Sequence, residues 1–141
     1  MIPVWKKIQK LNLYSAGLAL AIVLSSCVSG TVSNNYLHIE DLNEHFVDQG
    51  IKVEQVQPLE PRLIKATRAF AITIKGKEIG IYKYDISIKL QRKKVERIKE
   101  TGVVYVLAIK FPAVVKGSFV LIGVERHPEK DKIMAALESF K

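Results

Sequence analysis

Residues 11–37 contain no Asp, Glu, Lys or Arg, and Lys6, Lys7 and Lys10 stand directly ahead of them. This asymmetry divides the chain before any secondary structure is considered. The most apolar part, residues 11–24, is about 14 residues long, whereas a helix that crosses hydrocarbon needs roughly 20. Ser25, Ser26, Ser29, Gly30, Thr31, Ser33 and the pair Asn34-Asn35 then break the apolar run, and residues 27–37 read as a flexible tether. Lysines flanking an apolar segment mark its cytoplasmic side, so the C-terminal remainder of the chain is expected outside the cytoplasm whether the segment is cut or kept. Residues 38–141 are left to form one small domain.

A basic stretch, an apolar core and a pair of small residues have the layout of a secretory signal peptide. Its end is more specific: Leu24-Ser25-Ser26-Cys27 resembles the bacterial lipobox, an aliphatic residue and two small ones before a cysteine. The resemblance covers about the first 27 residues and all four positions match. It implies that diacylglycerol is joined to the Cys27 sulfur, that signal peptidase II cuts between Ser26 and Cys27, and that the new amino group can be acylated as well. It thus implies a bacterial lipoprotein of the cell envelope with residues 1–26 removed; no cofactor is expected beyond the lipid on Cys27. Two or more acyl chains anchor durably where one binds only marginally. Val28 follows the cysteine where an aspartate would resemble an inner-membrane retention signal, which implies outer-membrane sorting if the cell has a second membrane.

Cys27 is the only cysteine, which excludes an intramolecular disulfide and any CxxC metal or redox site. Of the 22 Lys and Arg residues three precede Cys27, leaving 19 against 14 acidic residues, a net +5. Such a charge favours anionic surfaces without naming one.

Within residues 38–141, Ile39, Leu42 and Phe46 at i, i+3 and i+7 predict a short helix ending near Gly50, and Ile51, Val53 and Gln55 predict a strand ending before Pro58. Phe70, Ile72 and Ile74, then Ile79 and Ile81, alternate about Gly76-Lys77 as a hairpin over 69–84. Asp85 or Ser87 is placed to cap a helix to Thr101 with Ile88, Gln91, Val95 and Ile98 on one stripe and Gly102 as terminator. The apolar runs 103–109 and 118–124 look like central strands, with Pro112 interrupting between them. His127-Pro128 suits the first turn of a final helix that carries Ile133, Met134, Leu137 and Phe140 and is still running at Lys141. We therefore read the fold as α+β: an antiparallel sheet of four to five strands with two or three helices packed mainly on one face, in strand-strand-helix-strand-strand-helix order after residue 69.

Chemistry is sparse. His38, Asp41 and His45 at i, i+3 and i+7 suggest a metal site, but zinc needs three ligands in a shaped, supported site. A polar helix border explains them, and no metal is assigned. No serine lies in a GxSxG-like elbow and no glycine-rich phosphate loop is present. Glu125 with His127, or Asp85 with Tyr82 and Tyr84, are pairs any small domain offers, so no catalytic residue is assigned. Tyr82 and Tyr84 are expected opposite Ile79 and Ile81, as a partner surface or as cover for a second sheet face. The most suggestive feature is the basic cluster Lys89, Arg92, Lys93, Lys94, Arg97 and Lys99, diluted by Glu96 and Glu100. It reads either as a solvated face or as a contact for anionic headgroups or envelope polymers. Nucleic acid is not expected, because the cluster lacks interleaved aromatics and the domain is exported. The expected function is a membrane-anchored, non-enzymatic binding or accessory module with a protein or envelope-polymer partner. The alternatives are a metal-dependent or acid/base hydrolase of envelope polymers and a structural subunit of an envelope assembly.

Overall fold

Ile39, Leu42 and Phe46 recur at helical spacing, and in the computed structural model, which describes residues 34–141, they form the buried face of helix α1 (Ile39–Asp48). The chain continues through β1 (Gln55–Pro58), a 3₁₀ turn (Pro61–Ile64), β2 (Arg68–Ile74), β3 (Lys77–Lys83), α2 (Lys89–Thr101), β4 (Val103–Val106), β5 (Ile109–Lys116), β6 (Phe119–Ile122) and α3 (Lys130–Ser139). The six strands make one antiparallel sheet in the order β1-β2-β3-β6-β5-β4. The fold is α+β, with one or two strands more than the alternation in the sequence suggests.

Alternation along β3 and β6 sends side chains to two different cores. Ile79, Ile81, Phe119 and Leu121 meet Ile39, Leu42 and Phe46 of α1 and Ile133, Ala136, Leu137 and Phe140 at α3. Val120 and Tyr84, on the other face, meet Val95 and Ile98 of α2 and Ile64 of the 3₁₀ turn. The helices sharing a face are thus α1 and α3, not the two later helices that the doubled order suggests. The reason lies in Phe119-Val120-Leu121-Ile122: an uninterrupted apolar strand has two faces to bury, so each needs its own cover.

The extra strand comes from 103–109. A single central strand is expected there, but Leu107 and Ala108 take left-handed φ of 47° and 66° and turn the chain into the β4–β5 hairpin, with Val106 opposite Ile109. Two-residue turns of this kind normally use Asn or Gly, and nothing in Leu-Ala signals one. β4 accordingly lies at the sheet edge. Pro112 does not interrupt β5: it sits opposite Val103, beside the bonded pair made by the Ala113 N–H and the Gly102 carbonyl. Ladder bonds alternate in antiparallel pairs, so position 112 needs no N–H toward β4.

Local bonding explains smaller departures. β1 begins only at Gln55, while Ile51 turns into the α1/α3 core. Ile88, not Asp85 or Ser87, occupies the N-cap of α2 and is half exposed; the Asp85 carboxylate instead accepts the Ser87 N–H and hydroxyl. The final helix starts at Lys130 and ends at Ser139, with Phe140 extended and folded back onto the core. Tyr84 is fully buried, donates its hydroxyl to the Ile64 carbonyl, and belongs to the α2 core with half-buried Tyr82 against it. The two tyrosines cover the second sheet face.

The sequence also assigns residues 34–37 to the tether, but Asn34 is buried. Its amide oxygen accepts the Ser118 N–H at 2.9 Å and its amide nitrogen donates to the Lys116 carbonyl. Next to it, the Lys83 ammonium donates to the Asn35 carbonyl, the Tyr84 carbonyl and the Ser118 hydroxyl at 2.9, 3.0 and 2.6 Å and lies 5.0 Å from the Phe119 ring centre. Burial holds this ammonium below the ordinary lysine value, partly offset by the charge of Asp85.

Gly117 turns β5 into β6 at φ 58°, and a Cβ there would occupy the space of the Asn34 amide. Gly117→Ala is therefore expected to lower stability by about 1–3 kcal/mol, read as a lower urea midpoint. The loss should not add fully to that of Asn34→Ala, because both unseat the same amide; an unchanged midpoint would show that Asn34 is not seated there.

Candidate anion-binding groove

Helix α2 carries the basic cluster, and its two sides are unlike. Val95 and Ile98 fix its rotation by entering the core. The residues on one flank, Leu90, Lys93, Lys94, Arg97 and Thr101, then form one wall of a groove of about 820 Å³ whose other walls are Val103, Val104 and Tyr105 of β4 and Lys65 after the 3₁₀ turn. Of the six cations singled out from the sequence, the fold brings Lys93, Lys94 and Arg97 to the groove and leaves Lys89, Arg92 and Lys99 off its walls. The Arg92 guanidinium donates to the Ile86 carbonyl, closing the turn that enters the helix. The two acidic residues of the helix, Glu96 and Glu100, do not line the groove either.

Lys65 completes the basic wall and could not be found from the sequence. It lies 28 positions before Lys93 and is delivered by the left-handed residue that ends the 3₁₀ turn, φ 57°. Among the described residues no ion pair involves Lys65, Lys93, Lys94 or Arg97, and residues 1–33 contain no carboxylate side chain. Burial, and after it the charge of Lys65, holds the Lys94 ammonium below the ordinary lysine value. Like charges gathered without counter-ions attract an anion that relieves their repulsion. Apolar side chains stand exposed beside the cations: Leu90 is 80% and Tyr105 60% exposed, and Leu107 and Ile109 at the hairpin tip beside Tyr105 are 75% and 61% exposed.

The other candidates from the sequence do not assemble into sites. Among the described residues no three His, Cys, Asp or Glu side chains are placed to share a metal ion. Asp41 accepts the His38 backbone N–H at 2.6 Å, a helix cap, while His45 Nε2 lies 2.8 Å from the Ala136 carbonyl and 3.0 Å from the Ser139 hydroxyl, joining α1 to α3. His127 is buried. Its Nδ1 accepts the Glu129 N–H, so Nε2 carries the proton and donates to the Ile74 carbonyl. Glu125 pairs with Lys130 at the surface. Asp85 is held by Asn35 and Ser87. Ser26 and Cys27, the lipobox positions, lie outside the described residues.

Comparison with protein-family models, curated proteins and solved structures gives no match to this chain.

Replacing Lys65 with Met should raise the Lys94 pKa, since it removes the neighbouring charge while leaving Lys94 half buried. Side-chain NMR titration of Lys94 reads this shift; an unmoved titration would show that the two ammonium groups do not sense each other.

Proposed function

We propose that the chain is a bacterial lipoprotein, anchored through lipid on Cys27 at the non-cytoplasmic side of a membrane, whose folded domain is a non-enzymatic binding module. The domain holds an anionic partner in the groove between α2 and β4. The observation that carries the binding reading is the group Lys65, Lys93, Lys94 and Arg97 around one groove, with no paired carboxylate among the described residues. The anchor reading rests on Leu24-Ser25-Ser26-Cys27 and the charge asymmetry before it. Both agree with an accessory role at an envelope surface, where anionic polymers and protein segments are within reach.

A structural-subunit role draws on one further observation, the exposed Leu107 and Ile109 at the β4–β5 tip, since clustered exposed apolar side chains mark contact sites.

The two halves of the proposal are tested separately. Cys27→Ser should abolish incorporation of labelled palmitate and release the protein from the membrane fraction, and labelling that persists would overturn the anchor. In the full chain, replacing Lys93 and Arg97 together by Glu should weaken retention of polyglutamate at least about tenfold and flatten its salt dependence. Retention unaffected by the double change would remove the groove as the anion site.

A further inference from the structure

The edge of β4 has a property that the charge alone does not explain. The bond from the Ala113 N–H to the Gly102 carbonyl makes those two residues a hydrogen-bonded pair of the β4–β5 ladder. Alternation then turns the backbone groups of Val104 and Val106 toward β5 and those of Val103 and Tyr105 outward. Among the described residues the Tyr105 N–H and carbonyl have no hydrogen-bond partner, and the Val103 carbonyl receives only a long 3.4 Å contact from the Thr101 hydroxyl. This is an open strand edge, and the groove runs beside it. Val103, Val104 and Tyr105 all line the groove. Consecutive strand residues point to opposite faces, so what these three share is their backbone edge, and the groove is a channel along that edge.

We propose that the groove takes an extended acidic segment of a partner protein, which adds to β4 as a seventh strand and sets alternate carboxylates against Lys93, Lys94 and Arg97. The inference rests on the reading of the groove as an anion site and goes further by naming the occupant. Strand addition satisfies the outward groups of Val103 and Tyr105, and β4 offers about 13 Å of edge, room for about four paired residues. In the added strand, every second side chain faces α2, as Val104 and Val106 do in β4, and meets the cations. The intervening side chains lie on the same side as Tyr105. The preferred segment therefore has acidic residues at i and i+2 with apolar residues between. A lipid headgroup or a nucleic-acid phosphate would answer the charges but leave the strand edge unpaired. The opposite edge of the sheet ends differently, because β1 closes on Pro58, a residue that blunts pairing.

The test uses two six-residue peptides, blocked at both ends, each with three glutamates and three valines. One alternates them and the other groups the three glutamates together. The full chain in neutral detergent should bind the alternating peptide at least about tenfold more tightly than its isomer, the worth of roughly two net hydrogen bonds. Binding should slow hydrogen exchange at the Tyr105 amide. N-methylation of the alternating peptide at its ladder-forming amides should bring it down to the level of the isomer, as should Tyr105→Pro on the protein side. Equal affinity for the two peptides, with both lost on Lys93→Glu and Arg97→Glu, overturns strand addition and leaves the groove as an anion site. No binding of either peptide, of polyglutamate or of phosphatidylglycerol vesicles overturns both readings. Binding to those vesicles with none to the peptides overturns the peptide occupant in favour of a lipid surface.

Discussion

A lysine ammonium buried among neutral oxygens is the constraint on which the rest of this domain is arranged. Lys83 points into the same face of the sheet as Ile79 and Ile81, where an unpaired cation would be costly, and no carboxylate bonds to it. Its three N–H groups are met instead by the carbonyls of Asn35 and Tyr84 and the hydroxyl of Ser118, with the Phe119 ring beside them. Two of these acceptors can be present only if the segment ahead of α1 is folded back and the β5–β6 turn is tight. Asn34 and Gly117 provide both conditions. The approach of the chain to α1 is thus tied to satisfying one side chain, beside the burial of Ile39, Leu42 and Phe46 in the first core.

Much of the architecture is legible in the sequence where local signals agree with each other. The β2–β3 hairpin is dictated by strict alternation and a glycine turn, and Gly102 ends α2 at φ 69° as a helix terminator should. Legibility fails where a residue acts against its usual preference. Leu107 and Ala108 adopt a backbone that costs side-chain-bearing residues about 1–2 kcal/mol each, so the run 103–109 cannot reveal that it is two strands. Pro112 looks like a break and is tolerated because its nitrogen faces away from β4, toward β6, where the paired register stops at Ala113 opposite Ile122. Asn34 and Asn35 look like linker composition; it is their long-range bonds to residues 116–118 and 83–86 that make them part of the fold.

The candidate site was half visible for a related reason. Helical periodicity separates the core stripe of α2 from its charged surface but cannot say which cations will face a second wall. That wall is made by Lys65 and β4, elements remote in sequence whose meeting depends on the sheet order. The sheet carries β4 to the edge farthest from β1, and α2, crossing above β5, leaves one flank facing that edge. The basic helix therefore has one flank, Lys93, Lys94 and Arg97, on the groove and another, with Lys89, Arg92 and Lys99, away from it.

The seating of Asn34 fixes how far the domain can stand from a lipid attached at the proposed position. Seven peptide units separate Cys27 from Asn34, a maximum of about 25 Å even when fully drawn out. Had the chain been free up to Ile39 at the start of α1, twelve peptide units from Cys27, the leash would have reached about 43 Å. Under the proposed lipid anchor, a domain tied this closely would survey a thin layer next to the bilayer rather than the volume beyond it, and would meet partners rooted in, or pressed against, the same membrane.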